Sequence, residues 1–332
     1  MTCRRQWSPW SVVALAVLAA TASLTAQGSV SLRRGASLQS GGLQGGAALE
    51  VIAVRNGVHM IAGPNGNTTI QVGPDGVLVV DPQPTALSDR LLAEIKKLSN
   101  KPVRYVVNTS GDPEHVGGNQ AVAASGQLLQ GGNTRAATVY STGGAPIWAH
   151  EGVLKRLTAE SPEGAAGWPT DTFFVDQKDL FVNGEPVQLL AAPAAHAEGD
   201  VLVVFRRSDV VSAGDIYTPD RYPVIDVKRG GSINGLVNAL NQLLRITVPE
   251  FNQQGGTLVV PGHGRLSDEA DVADYRDMVT IVRDRIRDLV KKGTTLEQVK
   301  AAKPTFDYDG IYGADKGAVF VEQVYSSLRA KP

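Results

Sequence analysis

The stretch that decides the reading is Asn108-Thr-Ser-Gly-Asp-Pro-Glu-His-Val-Gly-Gly-Asn119. It follows Val103–Val107, a run with the signature of a buried strand, and precedes a short helical pattern over 120–124. Ser110, Asp112, Glu114 and His115 crowd four oxygen or imidazole donors onto one loop. A tight loop at the carboxyl end of a strand aims such donors into a single pocket, which is where α/β sheets place their ligands.

The stretch resembles the signature loop of the metallo-β-lactamase superfamily, usually written N-T-H-x-H-x-D-H-x-G-G-N. Asn108, Thr109, His115, Gly117, Gly118 and Asn119 stand where that pattern has them. At the centre Ser110 replaces the first histidine, Asp112 the second, and Glu114 the aspartate. Of these replacements, Asp112 and Glu114 are still able to bind a metal.

Outward from the loop, the first half is strand-rich. Leu49–Val54 and Val58–Ala62 flank Asn56-Gly57, a dipeptide that accepts positive φ at both turn positions. Thr68–Val72 and Val77–Asp81 pair across Gly73-Pro-Asp-Gly76, and residues 87–98 carry apolar side chains at helical spacing. Gly63-Pro-Asn-Gly66 lies within this meander, with no helix and no lysine behind it, so it is not a phosphate loop. Leu128-Leu129 predicts a further short strand, and Glu151–Leu157 a helix.

The second half repeats the theme. Strands are expected at Gln188–Ala191, Val201–Phe205, Val210–Ser212 and Thr257–Val260, and helices at Ile233–Ile246, Asp268–Lys291, from Leu296, and at Ala318–Leu328. Strand runs followed by helices argue for an α/β (α+β) domain in which sheets pack face to face. The resemblance makes this a four-layer αββα sandwich over residues 49–332, ending in a helical extension.

The chain has five histidines. His115, His196 and His263 each lie just beyond an expected strand in a glycine-bearing loop, and a fourth such strand end carries Asp215. Isolated core histidines have no reason to favour strand ends, so these are candidate metal ligands. His59 reads as a strand residue and His150 as a structural residue at a helix start. By the family pattern, positions 110, 112 and 196 would form one site and 114, 115 and 263 the other, with Asp215 between them. The candidate metal ligands are thus Asp112, Glu114, His115, His196, Asp215 and His263, and the candidate catalytic carboxylates are Asp112, Glu114 and Asp215. The resemblance implies one or two divalent ions, Zn²⁺ by family. Exchanging imidazoles for carboxylates hardens the donor set toward Mn²⁺ or Fe²⁺. Tyr217, Tyr222 and Ser232 are candidates for pocket lining.

The N-terminus reads as an address rather than as fold. Arg4 and Arg5 precede an apolar core over 11–24 and small residues near Thr25-Ala26, which predicts a signal peptide over 1–26 and export to the periplasm or beyond. The apolar core is short of the ~20 residues that a spanning helix needs. Residues 27–48, rich in Gly, Ser and Gln, read as a flexible linker. Cys3 is the only cysteine, so a processed chain has neither a disulfide nor a thiolate ligand. Lys+Arg of 32 against Asp+Glu of 33, with no basic run, gives no sign of a nucleic-acid partner.

The expected function is a secreted or periplasmic metal-dependent hydrolase, turning a metal-bound hydroxide on an ester, thioester, lactone or amide of a small molecule. Two other classes compete with it. One is a non-catalytic ligand-binding relative, motivated by Ser110, Asp112 and Glu114. The other is a mononuclear-iron oxidoreductase acting on thiol substrates, as some relatives do.

Overall fold

Alternation along the central strands sorts apolar side chains onto two faces, and the layers follow from that sorting. A computed structural model describes residues 48–128, 144–160, 164–248 and 255–330. Twelve strands are described: β1 (Glu50–Arg55), β2 (Val58–Gly63), β3 (Gly66–Val72), β4 (Val77–Val80), β5 (Val103–Val107), β6 (Ile147–His150), β7 (Asp171–Phe173), β8 (Gln177–Val182), β9 (Glu185–Ala191), β10 (Val201–Phe205), β11 (Val210–Ser212) and β12 (Leu258–Val260). They form a seven-stranded sheet, β1 to β7 in sequence order, and a five-stranded sheet ordered β12-β11-β10-β9-β8. The meander β1–β4 is antiparallel and β4–β7 is parallel. In the second sheet only β11 and β12 run parallel.

On β4, Leu78 and Val80 face the second sheet, where they share a core with Val187, Leu189, Val201 and Val203. Val77 and Val79 face outward and pack with Leu91 and Ile95 of the helix Ser88–Leu98. The second sheet mirrors this: Leu202 and Val211 turn outward, against Leu236 and Leu240 of the helix Ile233–Ile246 and Val279 and Val282 of the helix Glu269–Lys291. The result is the αββα sandwich. Each fully buried Val or Leu contributes about 1.5–3 kcal/mol, and a one-residue slip would turn every one of them to the wrong face, so the register is firmly set. The C-terminal helices join the outer core through Val299, Phe320, Val321 and Val324.

Caps fix where the long helices begin. Ser232 accepts from the Gly235 amide, and Asp268 and Asp271 form a reciprocal capping box at Glu269. Asn56 (φ 48°) and Gly57 (φ 80°) make the expected hairpin turn.

Three strands were not anticipated: β6, β7 and β8. Each presents few inward side chains, as in β8, where only Leu180 and Val182 are buried, so the apolar pattern is weak. The expected strand at Leu128-Leu129 is corrected in part. Leu128 takes no strand conformation, and Leu129 lies outside the described residues. The segments expected as a signal peptide (1–26) and, apart from Ala48, as a flexible linker (27–48) also lie outside them. Among the described residues no helix is long and apolar enough to cross a membrane.

Candidate metal centre

The chain turns at five strand ends to bring the candidate donors together. The loop after β5 ends in the short helix Pro113–Val116, which follows Asp112 at its N-cap position and carries Glu114 and His115. His196 comes from the loop after β9, Asp215 from the turn after β11, and His263 from the loop after β12. The fifth strand end, after β4, supplies Asp81.

The flanking asparagines and glycines of the 108–119 stretch build its shape. Asn108 and Asn119 exchange two side-chain hydrogen bonds of 2.9 Å; Asn108 also donates to the His115 carbonyl and Asn119 to the Gly167 carbonyl. A Cβ at Gly118 would collide with the Pro82 carbonyl, and one at Gly117 with the Thr85 amide and Pro84. Gly262 is required for a related reason, since a Cβ there would strike Asp215 Oδ1.

Two groups of three donors result, each with ligand atoms within 4.8 Å of one another: Asp112, His196 and Asp215, and Glu114, Asp215 and His263. Asp215 is common to both, as the family pattern implies. His115 joins neither group. Its Nδ1 lies 2.9 Å from Asp81 Oδ2, and its Nε2 lies 3.2 Å from Asp215 Oδ2 without hydrogen-bond alignment. The fully buried imidazole therefore stands between two carboxylates, behind the second group rather than within it.

Electrostatics separate the two groups. Burial alone would lower the His196 pKa, but the Asp200 carboxylate beside it, with Asp215 and Asp112, carries it up to about 9. Burial also acts on His263, and there it wins, holding that imidazole below the ordinary range. His263 is thus neutral at pH 7, with a lone pair to give. Burial would raise the Asp215 carboxyl, yet His115, His196 and His263 hold it far below the usual range. Burial would likewise raise Asp112, but the Arg156 hydrogen bond and His196 keep it low. Burial and the buried pair at Asp81 and Asp215 act oppositely on His115, and the carboxylates prevail, raising it well above 6.5.

Several buried atoms at the centre lack any hydrogen-bond partner among the described residues: Asp215 Oδ1, His115 Nε2, His196 Nδ1 and Asp200 Oδ1. An orphaned carboxylate oxygen costs roughly 1–3 kcal/mol or more, and Asp215 Oδ1 lies 3.6 Å from His263 Nε2 at the junction of both groups. A divalent cation held among Glu114, Asp215 and His263 would satisfy that oxygen, so the residues fit such an ion. Glu114 itself has no hydrogen bond or ion pair among the described residues.

Four contributors escaped the sequence reading. Asp81, at φ +57° and 2% exposed, accepts from the Thr109 amide and hydroxyl while facing His115. Asp200 faces His196 Nδ1 at 3.6 Å and accepts from the Ala197 amide. Arg156 pairs with Asp112 at 2.6 Å, and Arg221 lines the cavity with Thr218 and Val224. Only the position of Asp81 and Asp200 beside expected strands hinted at them. Conversely, Tyr217, Tyr222 and Ser232 do not line the cavity. The Tyr217 hydroxyl donates to Ser267, that of Tyr222 to Asp309 and the Thr305 carbonyl, and Ser232 caps a helix. His59 sits in β2 against the Gly57 carbonyl, and His150 accepts from the Gly152 amide at its helix start.

A model of the metallo-beta-lactamase superfamily matches residues 62–271. The chain belongs to the metallo-β-lactamase superfamily. It is 25% identical over 252 residues to the linear primary-alkylsulfatase of Pseudomonas sp. (strain ATCC 19151), a match that covers 68% of this chain and 47% of that protein. The chain thus spans about half the length of the curated relative it matches. Among solved structures, it shares its fold with the stereoselective inverting sec-alkylsulfatase Pisa1 from Pseudomonas sp., with a TM-score of 0.64 and 15% identity over 84% of this chain and 50% of that one. It also resembles a metallo-β-lactamase from Pontibacter korlensis, with a TM-score of 0.51 and 18% identity over 70% and 99% of the two chains.

Proposed function

We propose that this superfamily member is an exported metal-dependent hydrolase of small ester-type substrates, with the working ion held by Glu114, Asp215 and His263. The observation that carries the reading is the unpartnered Asp215 Oδ1 at the meeting point of donors from three separate loops. Asp81 supports the group from behind by holding His115 against Asp215. Glu114, Asp215 and His263 would hold a divalent ion, whose chemistry when bound would be to polarise the bond under attack and bring the pKa of water near neutrality. Asp215 serves as the fixed negative charge of the site. Glu114 is a ligand, with the alternative of accepting the proton of the attacking water. Thr218, Arg221 and the exposed Val224 form the wall against which a substrate would lie.

Ester, thioester, lactone and amide carbonyls all suit this chemistry. Sulfate esters are added because the curated relative is named an alkylsulfatase. Zn²⁺ follows from the family, and Mn²⁺ and Fe²⁺ from the carboxylate-rich donors. Export rests on the basic, then apolar, N-terminus, and intact-mass analysis of the soluble protein is its check: a retained 1–26 segment contradicts it.

The test is metal analysis followed by turnover. Protein incubated with Zn²⁺, Mn²⁺ or Fe²⁺ and dialysed should retain at least one ion per chain. It should then hydrolyse one or more of p-nitrophenyl acetate, p-nitrophenyl sulfate and a simple lactone, with loss of activity on chelation. Retention below about 0.1 equivalent would sink the reading and favour a ligand-binding relative.

A further inference from the structure

We infer that Arg156 is a built-in cation that fills the charge requirement of the Asp112 and His196 half of the centre, so that the chain holds one ion rather than two. The inference rests on the proposed metal site at Glu114, Asp215 and His263 and deepens it.

Arg156 lies on the helix Glu151–Glu160, 44 residues from Asp112, and its Nη2 donates to Asp112 Oδ1 at 2.6 Å. The two side chains are 10% and 16% exposed, so this is a largely desolvated pair, and breaking such a pair leaves a costly bare charge. The other Asp112 oxygen is also engaged: Oδ2 accepts from the Ser110 hydroxyl at 3.1 Å and lies 3.5 Å from His196 Nε2. Both oxygens of Asp112 are therefore committed inside the protein.

The surroundings are shaped for the arginine. Gly111 is the residue between Ser110 and Asp112, and a Cβ there would stand 3.2 Å from Arg156 Cδ and 3.4 Å from its Nη1. A side chain at 111 would thus press on the guanidinium. From the far side, Glu160 accepts from Arg156 Nε at 3.3 Å and is itself clamped by Arg229 at 2.7 Å. Charge bookkeeping gives the same answer. Where the family pattern has two neutral imidazoles, this chain has a hydroxyl and a carboxylate, and the added negative charge is matched by one guanidinium. An arginine, always charged and rigidly forked, does this without competing for other ligands.

Metal stoichiometry tests the inference without reference to turnover. A Co²⁺ titration followed by visible absorption, with elemental analysis of the dialysed protein, should saturate at one ion per chain in the wild type. Arg156→Gln, checked for folding by circular dichroism, should take up a second. Wild-type crystals soaked in Mn²⁺ give an independent reading by anomalous scattering: one peak among Glu114, Asp215 and His263, with Arg156 still on Asp112. Two ions in the wild type, an anomalous peak between Asp112 and His196, or a folded Arg156→Gln that stops at one ion would each overturn the inference while leaving the hydrolase reading standing. A wild type that binds no ion overturns both.

Discussion

His196 and His263 share one carboxylate, Asp215, yet the protein prepares them differently. His196 is surrounded by Asp112, Asp200 and Asp215 and carries a proton at neutral pH, its pKa lifted to about 9. His263 has Asp215 at 3.6 Å and a Glu114 oxygen within 4.8 Å, yet burial outweighs them and holds its pKa below the ordinary range. A metal must displace a proton from the first and need not from the second. The lesson is that retaining a ligand residue is not the same as retaining a ligand. The charges around the imidazole decide which it is.

The sharpest way to break this comparison is His263→Ala. It should remove metal retention and reduce any hydrolysis by more than about 100-fold, beyond the 10–100-fold typical of a supporting residue. His196→Ala should leave ion content near that of the wild type. Elemental analysis of both variants reads the order directly, and a loaded His263→Ala beside an empty His196→Ala would reverse it.

Asp81 comes next. Asp81→Ala removes the partner of a buried imidazole and of the Thr109 amide and hydroxyl. A stability loss of roughly 3–5 kcal/mol is expected for stripping one side of a buried pair, with about 10–100-fold weaker metal binding through His115 and Asp215. Urea unfolding of the apo and loaded protein separates the two effects, and equal losses in both would mean that Asp81 acts on the fold alone.

A smaller effect should appear with pH. The folded His196 pKa lies above the ordinary 6.5, so the stability its charge contributes is complete below about pH 6.5 and declines as pH rises to about 9. The melting temperature of metal-free protein should fall across that window, and His196→Gln should reduce the fall, the remainder belonging to His115, whose pKa is also raised. Wild-type and His196→Gln curves of equal slope there would show that His196 is neutral, and the contrast with His263 would vanish.

The smallest effect tests the eroded position itself. Ser110→His restores the imidazole of the family pattern beside Asp112. Without release of Arg156 it should add little metal, whereas the double change with Arg156→Gln should shift the Asp112 and His196 half of the centre toward Zn²⁺. Parallel Zn²⁺ and Mn²⁺ titrations of the single and double variants distinguish these outcomes.

Much of the scaffold was determined by the sequence alone. Val103–Val107, Val201–Phe205, Val210–Ser212 and Ile233–Ile246 have the bounds that their apolar patterns predict, because each buries a full face or both faces and turn residues flank it. The resemblance of residues 108–119 pointed to the superfamily, and the strand-end positions of His115, His196, Asp215 and His263 pointed to one pocket. What only the tertiary structure decided is which donors share an ion and which are already taken. Asp81 reaches His115 across 34 positions and Arg156 reaches Asp112 across 44, through contacts that leave no local period or motif in the chain. Local patterns report which face of an element is buried. The charge that an imidazole or carboxylate carries depends on neighbours brought in by sheet packing, and that information exists only once the layers have closed.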